Sequence, residues 1–256
     1  MNMLHKINYY GKEISFYLPN SNYDHIQKII KKTSMFYEID MLQDLLKIVP
    51  STGIAIDVGA NIGNHSLFFA GICNLKTYSF EPFKSSRKIL EKNISINNLA
   101  NKVTVINGAL GNKNCDAHIS SKNVHNSGTA QIEHGTLKKN TTVRQLDEYA
   151  LTDVALLKID VEGMELDVLR GALKTITNSL PIILIEAQTI KDYNAIKAFL
   201  EPLAYTPINK YNDTPTILFL PNDSIDNAIP FLLSKNHFHN SHSTFKKLLS
   251  RILNFI

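Results

Sequence analysis

Four carboxylates in this sequence stand at or beside the place where an apolar run stops. Asp57 sits in Ile54-Ala55-Ile56-Asp57-Val58, Glu81 follows Lys76-Thr77-Tyr78-Ser79-Phe80, and Asp160 and Glu162 follow Leu156-Leu157-Lys158-Ile159. In an open α/β sheet, ligands bind at the carboxyl ends of the strands. Asp57 opens the pattern Asp-x-Gly-x-x-x-Gly, which runs through Gly59 and Asn61 to Gly63. A dinucleotide fingerprint needs Gly-x-Gly-x-x-Gly, so that pyrophosphate can rest on a helix N-terminus. Asn61 and Asn64 stand where its second and third glycines would be. A carboxylate at the strand end repels pyrophosphate but suits a ligand with amino and sulfonium cations, namely S-adenosylmethionine. Asp57 is read as steadying the turn and the methionyl end of that ligand. Gly59 and Gly63 are expected to let the backbone approach it without a Cβ in the way, with Asn61 adding backbone contacts. Glu81, about 20 residues beyond the turn, is placed to accept hydrogen bonds from ribose hydroxyls. Pro82 ends that strand, because it has no N–H to donate. Asn107-Gly108-Ala109, after the next apolar run, is where adenine is expected.

Methyl transfer is an in-line displacement at a sulfonium carbon, and the cofactor brings the activated group. The protein must hold donor and acceptor at near-attack distance. If the acceptor is a hydroxyl, a carboxylate or histidine must take its proton, or a divalent ion must acidify it. Asp160 and Glu162 are the first candidates for this catalytic work. Residues two apart on a strand face the same side, so the two carboxylates are expected to converge beside the donor methyl. Converging carboxylates raise one another's pKa or hold a cation. Asp160 is also a candidate partner for the amino group of the cofactor. Glu186, which ends the run Ile182–Ile185, faces the same rim. His65, in the glycine turn, can touch cofactor or acceptor. His125, in the polar turn His125-Asn126-Ser127-Gly128, is a further candidate base over the mouth of the site. A divalent cation stays open as an alternative, but a calcium-type loop needs many more oxygen ligands in a short span. No metal ligand is assigned, and His237, His239 and His242 are loosely spaced for a metal site.

The elements that must position these groups alternate in the βαβ manner, which predicts a parallel sheet with helices on both faces. Strands are expected near 54–58, 76–80, 103–107, 154–160 and 182–186, and helices near 64–71, 83–97, 164–177 and 191–201. Ahead of them, residues 5–18 read as a hairpin turning at Gly11-Lys12, followed by helices around 24–32 and 38–49. Residues 111–146 read as an insertion of short strands and turns, and 205–210 with 216–220 as a closing hairpin. Three segments follow: 1–53 as hairpin and helical cap, 54–222 as the cofactor-binding domain, and 223–256 as a tail.

With these residues in view the chain resembles the FkbM family of S-adenosylmethionine-dependent methyltransferases. The matching stretches are Ile56 to Ser66, Ser79 to Pro82, Leu157 to Glu165 and Ile183 to Glu186, of which Lys158-Ile159-Asp160-Val161-Glu162-Gly163-Met164-Glu165 is the most family-specific. The resemblance implies a Rossmann-like class I methyltransferase fold, a doubly wound, mostly parallel seven-stranded sheet with an antiparallel last strand. It further implies methylation of a hydroxyl on a sugar, glycan or glycan-linked metabolite, or on another natural product. In such a fold the region of Tyr37 and Glu38 helps to cover the cofactor.

Bulk composition narrows the alternatives. At 256 residues, the chain is long enough for a full core, and its charge of +4 is mild, with no Lys/Arg block through its centre. That argues against a nucleic-acid partner. An Asn/Asp-Pro-Pro-aromatic turn, usual in enzymes that methylate nucleobases, is replaced here by Ile159-Asp160-Val161-Glu162-Gly163. A nicotinamide oxidoreductase is disfavoured by Asp57 and the missing glycines, and a relative that binds cofactor or partner without turnover is the third class considered. Cys73 and Cys115 make neither a disulfide framework nor a zinc spacing, so a cytoplasmic location is expected. Residues 1–12 lack the apolar core of a secretory signal. In the tail, Phe245, Leu248, Leu249, Ile252, Leu253 and Ile256 recur at helical spacing, with Lys246, Lys247 and Arg251 off that face. Such a basic amphipathic helix packs on protein or lies peripherally on an anionic inner membrane face. No feature of the sequence sets the oligomeric state.

Overall fold

The computed structural model describes residues 3–121, 130–134, 141–226 and 228. Residues 1–222 make one compact unit and 223–256 a second. The first unit begins with the hairpin β1 (Leu4–Tyr9) and β2 (Lys12–Tyr17), then α1 (His25–Thr33) and α2 (Ile39–Ile48). Tyr10 and Gly11 turn the hairpin with φ of 47° and 76°, the paired positive angles of a tight two-residue connection. Asp24 caps α1 by accepting the Gln27 N–H at 2.9 Å.

The alternating core follows in the expected order: β3 (Ile54–Val58), α3 (Asn64–Leu67), β4 (Lys76–Phe80), α4 (Lys84–Ile96) and β5 (Val103–Ile106). After the insertion come β10 (Val154–Ile159), α5 (Glu165–Gly171), α6 (Leu173–Ser179), β11 (Ile182–Glu186), α7 (Ile190–Leu200), β12 (Tyr205–Tyr211) and β13 (Thr216–Pro221). The insertion supplies β6 (Ala109–Leu110), β7 (Cys115–Ser121), β8 (Ala130–His134) and β9 (Thr141–Arg144), joined in a separate four-stranded sheet of order β6-β9-β7-β8.

The main sheet has the order β12-β13-β11-β10-β3-β4-β5. β11, β10, β3, β4 and β5 run parallel, and β13 is antiparallel to both its neighbours. The expected seven-stranded, mostly parallel sheet is therefore present. Strands β3, β10, β11 and β13 are buried almost throughout, which explains their apolar runs: Ile56, Val58, Leu157, Ile159, Ile183, Ile185 and Phe219 form one core cluster. The strand order reverses between β3 and β10, so a crevice opens between their carboxyl ends.

Two helices differ from expectation. The helix expected over 64–71 starts as α3 and continues in a wide π turn over Phe68–Ile72. The helix expected over 164–177 breaks at Ala172 into α5 and α6. The break has a partner far away in sequence. Asp147 accepts the N–H of Lys174 at 2.9 Å and of Thr175 at 2.8 Å, so a remote carboxylate satisfies a new helix start.

Candidate active site

A cleft of about 870 Å³ lies over the carboxyl ends of β3, β4 and β10. Its floor is the glycine turn. Gly59, Asn61 and Gly63 have φ of 78°, 48° and 89°, all in the left-handed region that favours glycine or asparagine. The N–H groups of Gly59 and Ala60 both donate to Phe80 O, at 3.1 and 3.0 Å. The reason for the glycines differs from the sequence expectation. A Cβ on Gly59 would lie 1.8 Å from the Asp160 carbonyl oxygen, and one on Gly63 would lie 2.5 Å from Leu90 Cδ1. The missing side chains make room for the protein itself, between β3 and the turn after β10, and between the glycine turn and α4.

Glu81 is buried at the end of β4 and lines the cleft together with Pro82. Its Oε2 accepts the Asn61 N–H and its Oε1 the Phe83 N–H, each at 2.7 Å. Each oxygen keeps a lone pair for a further donor. Burial pushes its pKa up to about 7, against the backbone hydrogen bonds and Lys158, which act to lower it.

Asp57 lies behind the wall rather than in it. It is fully buried, its Oδ2 accepts the Ser66 hydroxyl at 2.6 Å, and Ser66 meets Ser79 at 2.8 Å. Its other oxygen, Oδ1, is 3.5 Å from the ammonium of Lys158. Lys158, inside a buried parallel strand, also lies 3.3 Å from Asp160 Oδ2 and donates to Gly59 O at 3.2 Å. Burial would lower the pKa of this lysine, but Asp160, Asp57 and Glu38 together raise it.

Asp160 and Glu162 both line the cleft, although not for the reason expected. β10 ends at Ile159, so strand alternation does not act on them. Glu162 has φ of 56° and Gly163 of 101°, and this left-handed turn carries Glu162 to the rim. Gln188 Nε2 donates to Glu162 Oε2 at 2.7 Å and reaches Glu186 at 3.4 Å. Burial and the negative charge of Asp160 push the Glu162 carboxyl upward. Glu186, at the end of β11, is pushed up in the same way by burial, Asp160 and Glu162. The turn is closed by Glu165, whose Oε1 accepts the N–H groups of Val161 and Gly163 at 3.2 and 3.1 Å.

His65 lines the cleft with its Nε2 3.0 Å from Glu38 Oε2 and its ring stacked on Phe69. Burial would raise the Glu38 pKa, but the hydrogen bond and charge of His65, with Lys158, hold it below the usual value. Tyr37 N–H donates to Asn64 Oδ1 at 2.9 Å, and Asn64 Nδ2 donates back to Tyr37 O at 3.0 Å. Asn212 donates to Glu38 at 2.8 Å, so the start of α2 is tied to the β12–β13 turn as well. Gly108 and Ala109 line the cleft, whereas Asn107 is exposed and outside its wall. His125, the tail histidines and the amphipathic segment 245–256 lie outside the described residues. Among the described residues no three His, Cys, Asp or Glu groups converge to hold a metal ion.

Sequence reasoning missed Lys158 and Glu165. A lysine between Leu157 and Ile159 in a doubly buried strand is itself a signal, because a buried ammonium needs partners. The chemistry of the wall suits S-adenosylmethionine. Glu81 retains acceptor capacity for ribose hydroxyls, Asp160 brings a carboxyl group to the wall beside Lys158, and the cleft has the size of a cofactor pocket.

Residues 57–212 match the methyltransferase FkbM domain. Hexuronic acid methyltransferase AglP of Haloferax volcanii is 24% identical over 206 residues, covering 78% of this chain and 83% of that protein. The crystal structure of methyltransferase FkbM from Methylobacillus flagellatus shares the fold with a TM-score of 0.50 and 19% identity, over 66% of this chain. This chain spans only 44% of that one. With the family match covering the glycine turn, Glu81, Asp160 and Glu162 alike, the chain belongs to the FkbM family of S-adenosylmethionine-dependent methyltransferases.

Proposed function

We propose that this methyltransferase acts on a hydroxyl of a sugar, glycan or glycan-linked metabolite. The observation that carries the reading is the position of Glu162 at the rim of the cofactor-sized cleft, two residues from Asp160 in its wall. The similarity to a hexuronic acid methyltransferase supports a sugar acceptor. When bound, S-adenosylmethionine supplies a methyl group on a sulfonium centre. Glu81 and the glycine turn hold the nucleoside, Gly108 and Ala109 wall the adenine, and Asp160 faces the cationic part. Glu162 would accept the proton of the acceptor hydroxyl as the hydroxyl oxygen takes the methyl group, the carbon–sulfur bond breaks and S-adenosylhomocysteine leaves. Its upward-shifted carboxyl suits that work, because a stronger base takes a hydroxyl proton more readily. Tyr37 and His25, whose rings meet edge to face at 5.9 Å, also line the cleft and offer an aromatic surface to a sugar ring. A divalent cation is not needed for this scheme.

The test is transfer of a labelled methyl group to a panel of neutral, amino and uronic sugars and their glycan-linked forms. Glu162→Gln should lower kcat by roughly 100-fold with donor affinity retained. Asp160→Asn should weaken donor binding. Wild-type rates in both variants would overturn the assignment.

A further inference from the structure

Lys158 is the only lysine or arginine among the described residues that line the cleft, and none of the chemistry above uses it. It is 2% exposed. In the sheet it pairs in register with Asp57 of β3, and its side chain extends toward the crevice at the switch point. There one ammonium meets three groups from two segments: Asp57 Oδ1 at 3.5 Å, Gly59 O at 3.2 Å and Asp160 Oδ2 at 3.3 Å. Asp57 and Gly59 belong to the end of β3 and its glycine turn. Asp160 belongs to the turn after β10. The Gly59 backbone also abuts the Asp160 carbonyl, since a Cβ there would lie 1.8 Å from it. The two halves of the cofactor floor thus touch, and a single cation joins them.

We propose that Lys158 is a positioning residue for the reaction, holding Asp160 in an ion pair in the wall and leaving Glu162, which has no cationic partner among the described residues, as the carboxylate that takes the proton. The proposal rests on the donor binding in this cleft. The two carboxylates have opposite surroundings. Asp160 is in an ion pair with Lys158. Glu162 has an amide partner, Gln188, and acidic neighbours in Asp160, Glu165 and Glu186. Two carboxylates in one site take different roles when their environments separate them in this way. Replacing the lysine frees Asp160 to rotate and removes the donor that holds the Gly59 carbonyl, so both halves of the floor lose their register.

The experiment measures binding and turnover separately. Lys158→Met alone leaves Asp57 buried without a counter-charge and is expected to destabilise the fold. Lys158→Met combined with Asp57→Asn removes one charge of each sign and serves as the folded variant. Each protein is checked by its melting transition, then titrated calorimetrically with S-adenosylmethionine and S-adenosylhomocysteine, and assayed for methyl transfer over pH. The expected result is a folded double variant whose affinity for both ligands falls about tenfold or more. Adding Asp160→Asn to it should then cost less than threefold further, because Asp160 has already lost its orientation. The acidic limb of the kcat profile should vanish in Glu162→Gln and persist in Asp160→Asn. Affinities within twofold of wild type, full additivity of Asp160→Asn, or failure of both Lys158 variants to fold would each overturn the proposal. If no sugar is methylated by wild-type protein while the affinity changes appear as stated, the acceptor reading fails and the role of Lys158 stands.

Discussion

At the scale of single residues, the site is set by how burial and backbone contacts treat its carboxylates. Glu81 shows the effect most plainly. Its folded pKa of about 7 lies above the roughly 4.3 of an unfolded glutamate, so the folded state binds the proton more tightly. The stability linked to Glu81 is therefore full below about pH 4 and is lost as pH rises through 7. Calorimetric melting of the ligand-free protein should show this decline, and Glu81→Gln should remove that part of the slope. Ribose hydroxyls donate to a carboxylate better than to its protonated form, so the affinity for S-adenosylhomocysteine should weaken as pH falls from 8 to 6. The same titration on Glu81→Gln should be flat and weaker throughout.

At the scale of elements, side-chain amides fasten the N-terminal hairpin and cap to the sheet domain. Asn93 on α4 accepts the Tyr17 N–H of β2 at 2.6 Å and donates to Ile62 O in the glycine turn at 2.9 Å. Asn97, one helical turn on, pairs both ways with the Ser15 backbone, at 2.8 and 2.7 Å. Asn93→Ala strands two backbone groups at once and should cost about 2–4 kcal/mol, measured by denaturant unfolding. The same loss should loosen the glycine turn and weaken donor binding, whereas Asn97→Ala should lower stability with little effect on affinity. Most elements were legible because their apolar runs and breakers are local: β3 with Gly59, β4 with Pro82, β10 with Gly163. The break between α5 and α6 was not, since its cause is Asp147, more than twenty positions away. The strand alternation expected to align Asp160 with Glu162 does not act, because the left-handed turn after β10 is held by Glu165 rather than by any period in the sequence.

At the scale of the whole molecule, the cleft is shared between the N-terminal cap and the sheet domain. His25, Tyr37 and Glu38 come from the cap, and Glu38 reaches both His65 and Asn212. We propose that residues 1–53 are a wall of the site and not a separable module. S-adenosylhomocysteine at 100 times its dissociation constant should stabilise the full chain by about 2.7 kcal/mol, and NAD should not. A chain beginning at residue 54 should show no such shift and melt without a sharp transition, because Asn64, Asn93 and Asn97 lose their backbone partners. A ligand-dependent shift in the shortened chain would place the whole site in the sheet domain. Among the described residues no helix is long and apolar enough to cross a membrane.

The sequence by itself determined the sheet, the glycine turn and the acidic strand ends, because each is written in neighbouring residues as apolar runs, breakers and charge. It also carried the family, through Asp57 to Gly63 and Lys158 to Glu165. Tertiary structure alone decided what those residues face. Asp57, read as a ligand to the cofactor, is turned toward Ser66 and Lys158 behind the wall. Gly59 and Gly63 are small to admit Asp160 and Leu90. Which partner a buried polar or missing side chain meets depends on segments that folding brings together: Lys158 and Asp160 reach β3 and its turn from about a hundred residues away, and Leu90 reaches Gly63 from α4, and no local pattern records either meeting.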